Sequence, residues 1–431
     1  MLDLSNDKPP GVHGYGVNMI CLCVRLVLDA SVSLRGVPRV LAVMAEAFDL
    51  PLDFPHWTTI RLWLMRLGHA ELTMPLKQAD DWAWLADHSV QIGAAKCLAI
   101  VGIRLRDLPK PGECLEHRDL HLIALVPSES WTKQDVDHAF EEATKRTGVP
   151  RVIVTDHGAD LYGGVQLFQE RHPQTVEIYD VKHKAACLLK HRLEKEPRWQ
   201  EFHTKVGVTR CAVQQTELAF LTPPAPKLKA RYMNLQAQLE WAEGVLTILR
   251  DPPAKVQEWT TPERLQAKFG WLKDFAEPMT EWSEWQSIVN ITVAFVNRQG
   301  MYRGMGRALR QQMPRKFAHD SGRKLAKELI RFVVKQARQT KPGERFPGST
   351  EVLESCFGKL KSLEQEQSKS GYTGMVLSLG AIVASSLQPE CLQEALERCR
   401  VKDVLNWCRT QLGPSIQRQR CLAYEIGRAH V

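Results

Sequence analysis

Between residues 82 and 180 the chain runs through three apolar, β-rich stretches and then alternates helix with strand, and this order restricts the fold more than any other feature. The stretches 82–92, 97–105 and 117–126 are punctuated by Gly93 and by the Pro109–Gly112 segment. Residues 132–147 read as a charged amphipathic helix opened by a Thr cap. Pro150 precedes a strand at 151–155, and a helix at 161–171 and a strand at 176–179 follow. The expected order is β-β-β-α-β-α-β.

Three antiparallel strands followed by α-β units is the order of an RNase H-like mixed sheet, so the fold class expected is α/β. Residues 1–80 read as a helical domain, with helices at 18–33, 38–48 and 55–72. The last two, across a short Pro-containing break, fit a helix-turn-helix with Arg61 and Arg66 available to contact DNA. From His183 to about Lys341 strand signals vanish, and an all-α insertion is expected over 191–345, splitting the core into 81–190 and 346–415. The apolar run from Met375 to Leu387 is too short to span a membrane and suits a buried helix. No secretory signal is read at the N-terminus. The last residues, Glu425 to Val431, resemble translated adapter sequence and are set aside.

Charge is unevenly distributed. Residues 181–350 hold 30 Lys and Arg against 16 Asp and Glu, whereas the rest holds 27 against 33. Within 298–345 the count is 14 basic to 3 acidic. A basic block in an otherwise acidic chain points to a polyanion partner. Arg303, Arg307, Arg310, Arg315, Lys316 and Arg323 are its candidate phosphate contacts, and Arg303, Arg307 and Arg310 fall on one helical face. Trp241, Trp271, Trp282 and Trp285 lie upstream, where tryptophans either pack a core or stack on an unpaired base. Eleven cysteines without a Cys-x-x-Cys pair read as free thiols in a reducing cytosol. No P-loop motif is present, which disfavours an ATPase of that type.

Three acids stand where strand ends or helix starts would hold them: Asp87 in the first strand, Asp156 ending the fourth, and Glu354 on the helix of STEVLESCFGKLK. Phosphodiester cleavage needs an activated nucleophile and charge neutralisation on both attacking and leaving oxygens, which two Mg²⁺ ions (or Mn²⁺) supply. Mg²⁺ prefers carboxylate oxygen and water. Glu351 competes with Glu354, lying about one turn earlier on nearly the same face.

The strings ADHSVQIG, VIVTDHGADL, YDVKHKAACLLK and GSTEVLESCFGKLK resemble those of bacterial insertion-sequence transposases of the DDE type, over roughly residues 30–390. The ESxFxKLK segment is the most specific part and favours Glu354 over Glu351. The resemblance implies Asp87, Asp156 and Glu354 as ligands of two metal ions, with Asp87 shared. The spacing of 198 residues from Asp156 to Glu354 departs from the short integrase pattern. It is similar to transposases whose core is interrupted by a helical insertion, as in the hAT and Mutator-like groups. Those carry an acid-or-Cys-x-x-His motif after the second Asp, matched here by Asp180-Val181-Lys182-His183. This implies an active-site role for His183. His88 and His157 alternate away from their acidic neighbours in strand geometry and are read as structural. The implied partner is double-stranded DNA, both element ends and target, bound by a homodimer or higher oligomer in the bacterial nucleoid, with no membrane. A nuclease of the same fold that cuts without joining, and a non-catalytic DNA-binding derivative, are the alternatives.

Overall fold

The computed structural model describes residues 7–10, 14–50, 53–88, 95–225, 235–365, 374–384, 387–414 and 420–425. The chain forms two compact units, one of residues 1–180 with 346–431, the other of residues 181–345. The segment read as adapter sequence lies, apart from Glu425, outside the described residues.

The first unit opens with α1 (Val17–Leu28), α2 (Gly36–Phe48) and α3 (Trp57–Thr73). The strands β1 (Trp82–His88), β2 (Lys96–Arg104) and β3 (His121–Ser128) follow, then α4 (Lys133–Thr147), β4 (Val152–Thr155), α5 (Ala159–Arg171) and β5 (Val176–Tyr179). The sheet order is β3-β2-β1-β4-β5. The first three strands pair antiparallel, while β1 with β4 and β4 with β5 pair parallel. The architecture is therefore α/β around a mixed five-stranded sheet. The β3 strand starts four residues later than the apolar pattern suggests. Glu116 and Asp119 close a reciprocal capping box that winds His117–Asp119 into a 3₁₀ turn. The expected Thr cap of α4 is present, with Thr132 and Asp135 satisfying each other's backbone N–H.

Side-chain alternation divides the sheet into two faces. Trp82, Trp84 and Ala86 join Ile153 in a buried cluster with Val136 and Phe140 of α4 and Val165 and Phe168 of α5. Ala83 and Leu85 of β1, with Val152 and Val154 of β4, point to the opposite face and are equally buried. Both faces are covered, as parallel strands require.

The second unit holds α6 (Val181–Leu193), α7 (Pro197–Val213), α8 (Leu235–Arg250), α9 (Ala254–Gln257), α10 (Pro262–Phe269), α11 (Ala276–Gln299), α12 (Met305–Gln312) and α13 (Asp320–Ala337). Its core is aromatic: Trp199 meets Trp282 edge-on at 5.2 Å, and Phe202 packs against Trp282 and Phe275. Trp282 and Trp285 are buried. The indole N–H groups of Trp241, Trp271 and Trp285 donate to Leu221 O, Thr209 Oγ1 and Ser321 Oγ. The four tryptophans are packing residues here rather than free stacking platforms.

The first unit resumes with α14 (Glu351–Gln365), α15 (Ser378–Val383), α16 (Pro389–Arg398) and α17 (Val401–Trp407). The apolar stretch after Gly374 forms a buried 3₁₀ turn and α15. Among the described residues no helix is long and apolar enough to cross a membrane.

Residues 1–80 do not stand apart as a separate domain. Helix α3 packs against α1, α15, α16, α17 and β3, and residues 63–68 are buried without interruption. A helix enclosed on every side over more than a full turn belongs in an interior, not in a groove of DNA. The contact with α15 is backbone on backbone. A Cβ on Gly68 would lie 1.6 Å from Leu377 O, and one on Gly380 would lie 2.5 Å from Gly68 O. Gly68→Ala should therefore destabilise the chain by about 3 kcal/mol or more, the upper end for overpacking, because no side chain can yield to relieve it. Gly207→Ala in α7, where a Cβ meets nothing within 4 Å, should instead be neutral or stabilising. Thermal unfolding of the two variants checks this, and equal midpoints would refute the close crossing.

Candidate active site

The parallel ladders set three aspartates in a row. The pairing of Leu85 with Val154, carried two residues further along both strands, brings Asp87 level with Asp156. The pairing of Thr155 with Tyr179, carried one further, brings Asp156 level with Asp180. The Asp180 N–H continues that ladder with a 2.9 Å bond to Thr155 O. Alternation puts all three on the face opposite α4 and α5, since Trp84, Ala86 and Ile153 face those helices. Asp87 and Asp156 are half-buried, and Asp180 is fully buried.

The turn after β4 orients Asp156. Its Oδ1 accepts the Gly158 N–H at 2.8 Å, and His157 between them takes a left-handed φ of 61°. That conformation costs a non-glycine residue free energy, and packing holds it. The His157 ring stacks on Tyr179 at 3.8 Å, contacts Tyr162 at 4.5 Å and pairs with Glu177. His88 Nε2 lies 2.9 Å from Asp160 Oδ2, with its ring against Trp131. Burial pushes the His88 imidazole below its ordinary range, and the charge of Asp160 partly offsets this. His88 also feels the charge of Asp156, and His157 is held by Tyr179, Tyr162 and Glu177.

Asp180 is the residue whose task was least visible in the sequence. Its Oδ2 accepts from Ser349 Oγ (3.1 Å), Thr350 N (2.5 Å) and Thr350 Oγ1 (2.9 Å). Ser349 Oγ accepts in turn from Glu351 N at 3.1 Å. A buried carboxylate at the end of β5 thus fastens the N-terminus of α14, where helix polarity favours negative charge. Glu351 and Glu354 both lie in that first turn and both are half-buried. Leu353, Cys356, Phe357, Leu360 and Leu363 seat the other side of α14 in the interior. The bonds from Asp180 therefore set the first turn of α14 at the end of β5.

The donor set is all carboxylate oxygen, which suits Mg²⁺ or Mn²⁺. Among the described residues no three His, Cys, Asp or Glu side chains are grouped closely enough to hold one metal ion. Mg²⁺ asks for less, being held by one or two carboxylates and completing its shell with water and substrate phosphate. Asp87 and Asp156, level on neighbouring strands and facing the same way, fit that requirement.

The other expected site residues fall elsewhere. Arg66 is buried, and its guanidinium donates to Leu396 O at 2.5 Å and Cys399 O at 2.7 Å. It closes carbonyls at the end of α16 and does not reach solvent, which corrects its reading as a DNA contact. Arg61 is half-buried on the same helix. His183 lies in the first turn of α6, within the second unit. Arg303, Arg307, Arg310, Arg315, Lys316 and Arg323 are all exposed in that unit.

Two expectations follow. Asp180→Ala should cost about 3 kcal/mol in urea unfolding, since three donors lose a charged acceptor, while Asp180→Asn, which keeps an oxygen there, should cost less. Equal stability of all three proteins would remove the fastening role. The second concerns Glu364, near the end of α14. Burial pushes its carboxyl up to about 7 from 4.5. The folded chain then binds this proton more tightly than the unfolded chain, so the contribution of Glu364 to stability is fully present below about pH 4.5 and is lost as pH rises through about 7. Glu364→Gln should outlast the parent in thermal unfolding at about pH 8 and match it near pH 4. A constant difference across that range would contradict the assignment.

Set beside known proteins, the chain matches no family model and no curated protein.

Proposed function

We propose that the chain is a DDE-type DNA transposase with an RNase H-like core, cleaving at element ends and joining them to target DNA. What supports this reading is the parallel pairing of β1 with β4, whose ladder carried two residues further brings Asp87 level with Asp156, and the first turn of α14, with Glu354, fastened at the end of β5. The strand order, with three antiparallel strands and two parallel additions next to the first, supports the RNase H-like assignment.

In this reading Asp87, Asp156 and Glu354 would hold Mg²⁺ or Mn²⁺. When bound, such ions supply an activated water and neutralise charge on the attacking and leaving oxygens. The protein's own part is positioning. The Gly158 N–H holds the Asp156 carboxylate in one orientation, and Asp180 keeps the first turn of α14 at the edge where the strand carboxylates end. Water would attack a phosphodiester and displace its 3′-oxygen, giving a 3′-OH and a 5′-phosphate, and that hydroxyl would attack a target phosphodiester in line, forming a new P–O bond as the target's own 3′-oxygen leaves and takes up a proton. No covalent protein–DNA intermediate enters, so no Ser or Tyr nucleophile is required. The exposed arginines of the second unit fit duplex DNA as the partner, through phosphate contacts that do not read sequence.

Nicking and strand-transfer assays in Mg²⁺, on duplexes carrying the DNA that flanks the reading frame on either side, test the proposal. Asp87→Asn, Asp156→Asn and Glu354→Gln should each lower both steps by at least about 100-fold, which is about 2.7 kcal/mol of barrier, and leave duplex binding intact. Glu351→Gln should stay active. An active Asp87 or Asp156 variant would sink the reading, and an inactive Glu351 variant with an active Glu354 variant would transfer the third role. Cleavage without joining would instead identify a nuclease.

A further inference from the structure

The second unit contains a cavity of about 520 Å³ lined by Arg303, Arg307, Arg310 and Arg338. Three of these come from α12 or the residue just before its cap. The fourth, Arg338, is brought in by the end of α13. The approach of the two helices depends on Gly306, where a Cβ would lie 2.3 Å from Val334 Cγ2. Gly304 turns the chain into α12 with a left-handed φ of 90°, no side chain caps the helix, and Gly304, Met305 and Gly306 contribute to the same lining.

All four arginines are exposed, and among the described residues none has an ion pair or a side-chain hydrogen bond. Some basic side chains of the unit are matched, as where Arg192 meets Glu328 at 3.0 Å and Lys324 meets Asp320 at 3.0 Å. Four unmatched guanidiniums around one concavity repel each other unless an anion joins them, and their planar forks fit phosphate oxygens two at a time.

We propose that this cavity is a phosphate-binding site and that its ligand is a backbone phosphate of DNA. The choice of DNA rests on the function proposed above, whereas the anion chemistry does not. A row of exposed basic residues on α13 extends the site: Lys327, Arg331, Lys335 and Arg338 recur at intervals of three or four. At 1.5 Å per residue the row spans about 17 Å, which suits a run of phosphates along a strand rather than one small ion.

The test uses the full chain, a short duplex of arbitrary sequence and a salt series, with circular dichroism to verify folding. Arg338→Ala should weaken binding several-fold and lower the slope of log K against log salt by about 0.9, and Arg307→Ala with Arg338→Ala by about twice that. Lys255→Ala removes the same charge from an exposed site on α9 and should leave the slope nearly unchanged. Inorganic phosphate and pyrophosphate, tested by thermal shift, form the second arm. Duplex binding that is unchanged in the folded double variant would overturn the pocket. If phosphate stabilisation were lost while duplex binding persisted, a free anion would replace DNA as the ligand. A wild-type chain that binds no duplex would fail the transposase reading itself.

Discussion

The parallel pairing of β1, β4 and β5 is the constraint from which the rest of the first unit follows. Parallel strands end at the same edge, so residues level in the ladder deliver their side chains to one place. Alternation then selects a face. Asp87, Asp156 and Asp180 share both level and face, and these two geometric facts turn three aspartates scattered over the sequence into one row. The apolar residues beneath them, Leu85, Val154 and Ile178, are fully buried, so a shift of register would cost hydrophobic burial before it moved an acid.

The row is not uniform. Asp180 is wholly enclosed and spends its charge on Ser349 and Thr350, while Asp87 and Asp156 remain half-buried. An enclosed carboxylate with its donors supplied is a structural element. The division of labour between neighbouring aspartates is set by what each strand end meets.

Much of the sheet was legible from the sequence because its signals were local: apolar runs, Gly and Pro punctuation, and the Thr132 cap. Asp87 and Asp156 stand out because strand ends can be read from such runs, and Glu354 because of the ESxFxKLK resemblance. Helix α3 misled, since Leu41, Met44 and Phe48 of α2 keep helical spacing and Ile60, Trp63, Leu64 and Leu67 continue it, which fits a helix pair of any kind. Burial of Arg66 depended on carbonyls 330 and 333 residues away, which no local pattern reports. The partners of Asp180 are likewise 169 and 170 residues distant. The one available sign was an acid closing an apolar strand, with a Ser-Thr pair opening a much later helix. The Arg338 contribution to the arginine cavity was hidden for a related reason, because α12 and α13 meet through Gly306 rather than through a charge pattern.

The fastening of Asp180 to Ser349 and Thr350 also bears on how such a chain can change over generations. The second unit leaves the first at Val181 and returns at Arg345, so in sequence both of its ends lie within a few residues of the Asp180 bonds to Ser349 and Thr350. The entropy of closing a loop grows only logarithmically, with each doubling of length adding about 0.6 kcal/mol. Once the closure exists, lengthening, trimming or replacing the inserted segment is nearly neutral for the sheet. The junction is thus a place where large pieces of sequence can be exchanged while the carboxylate edge stays as it is.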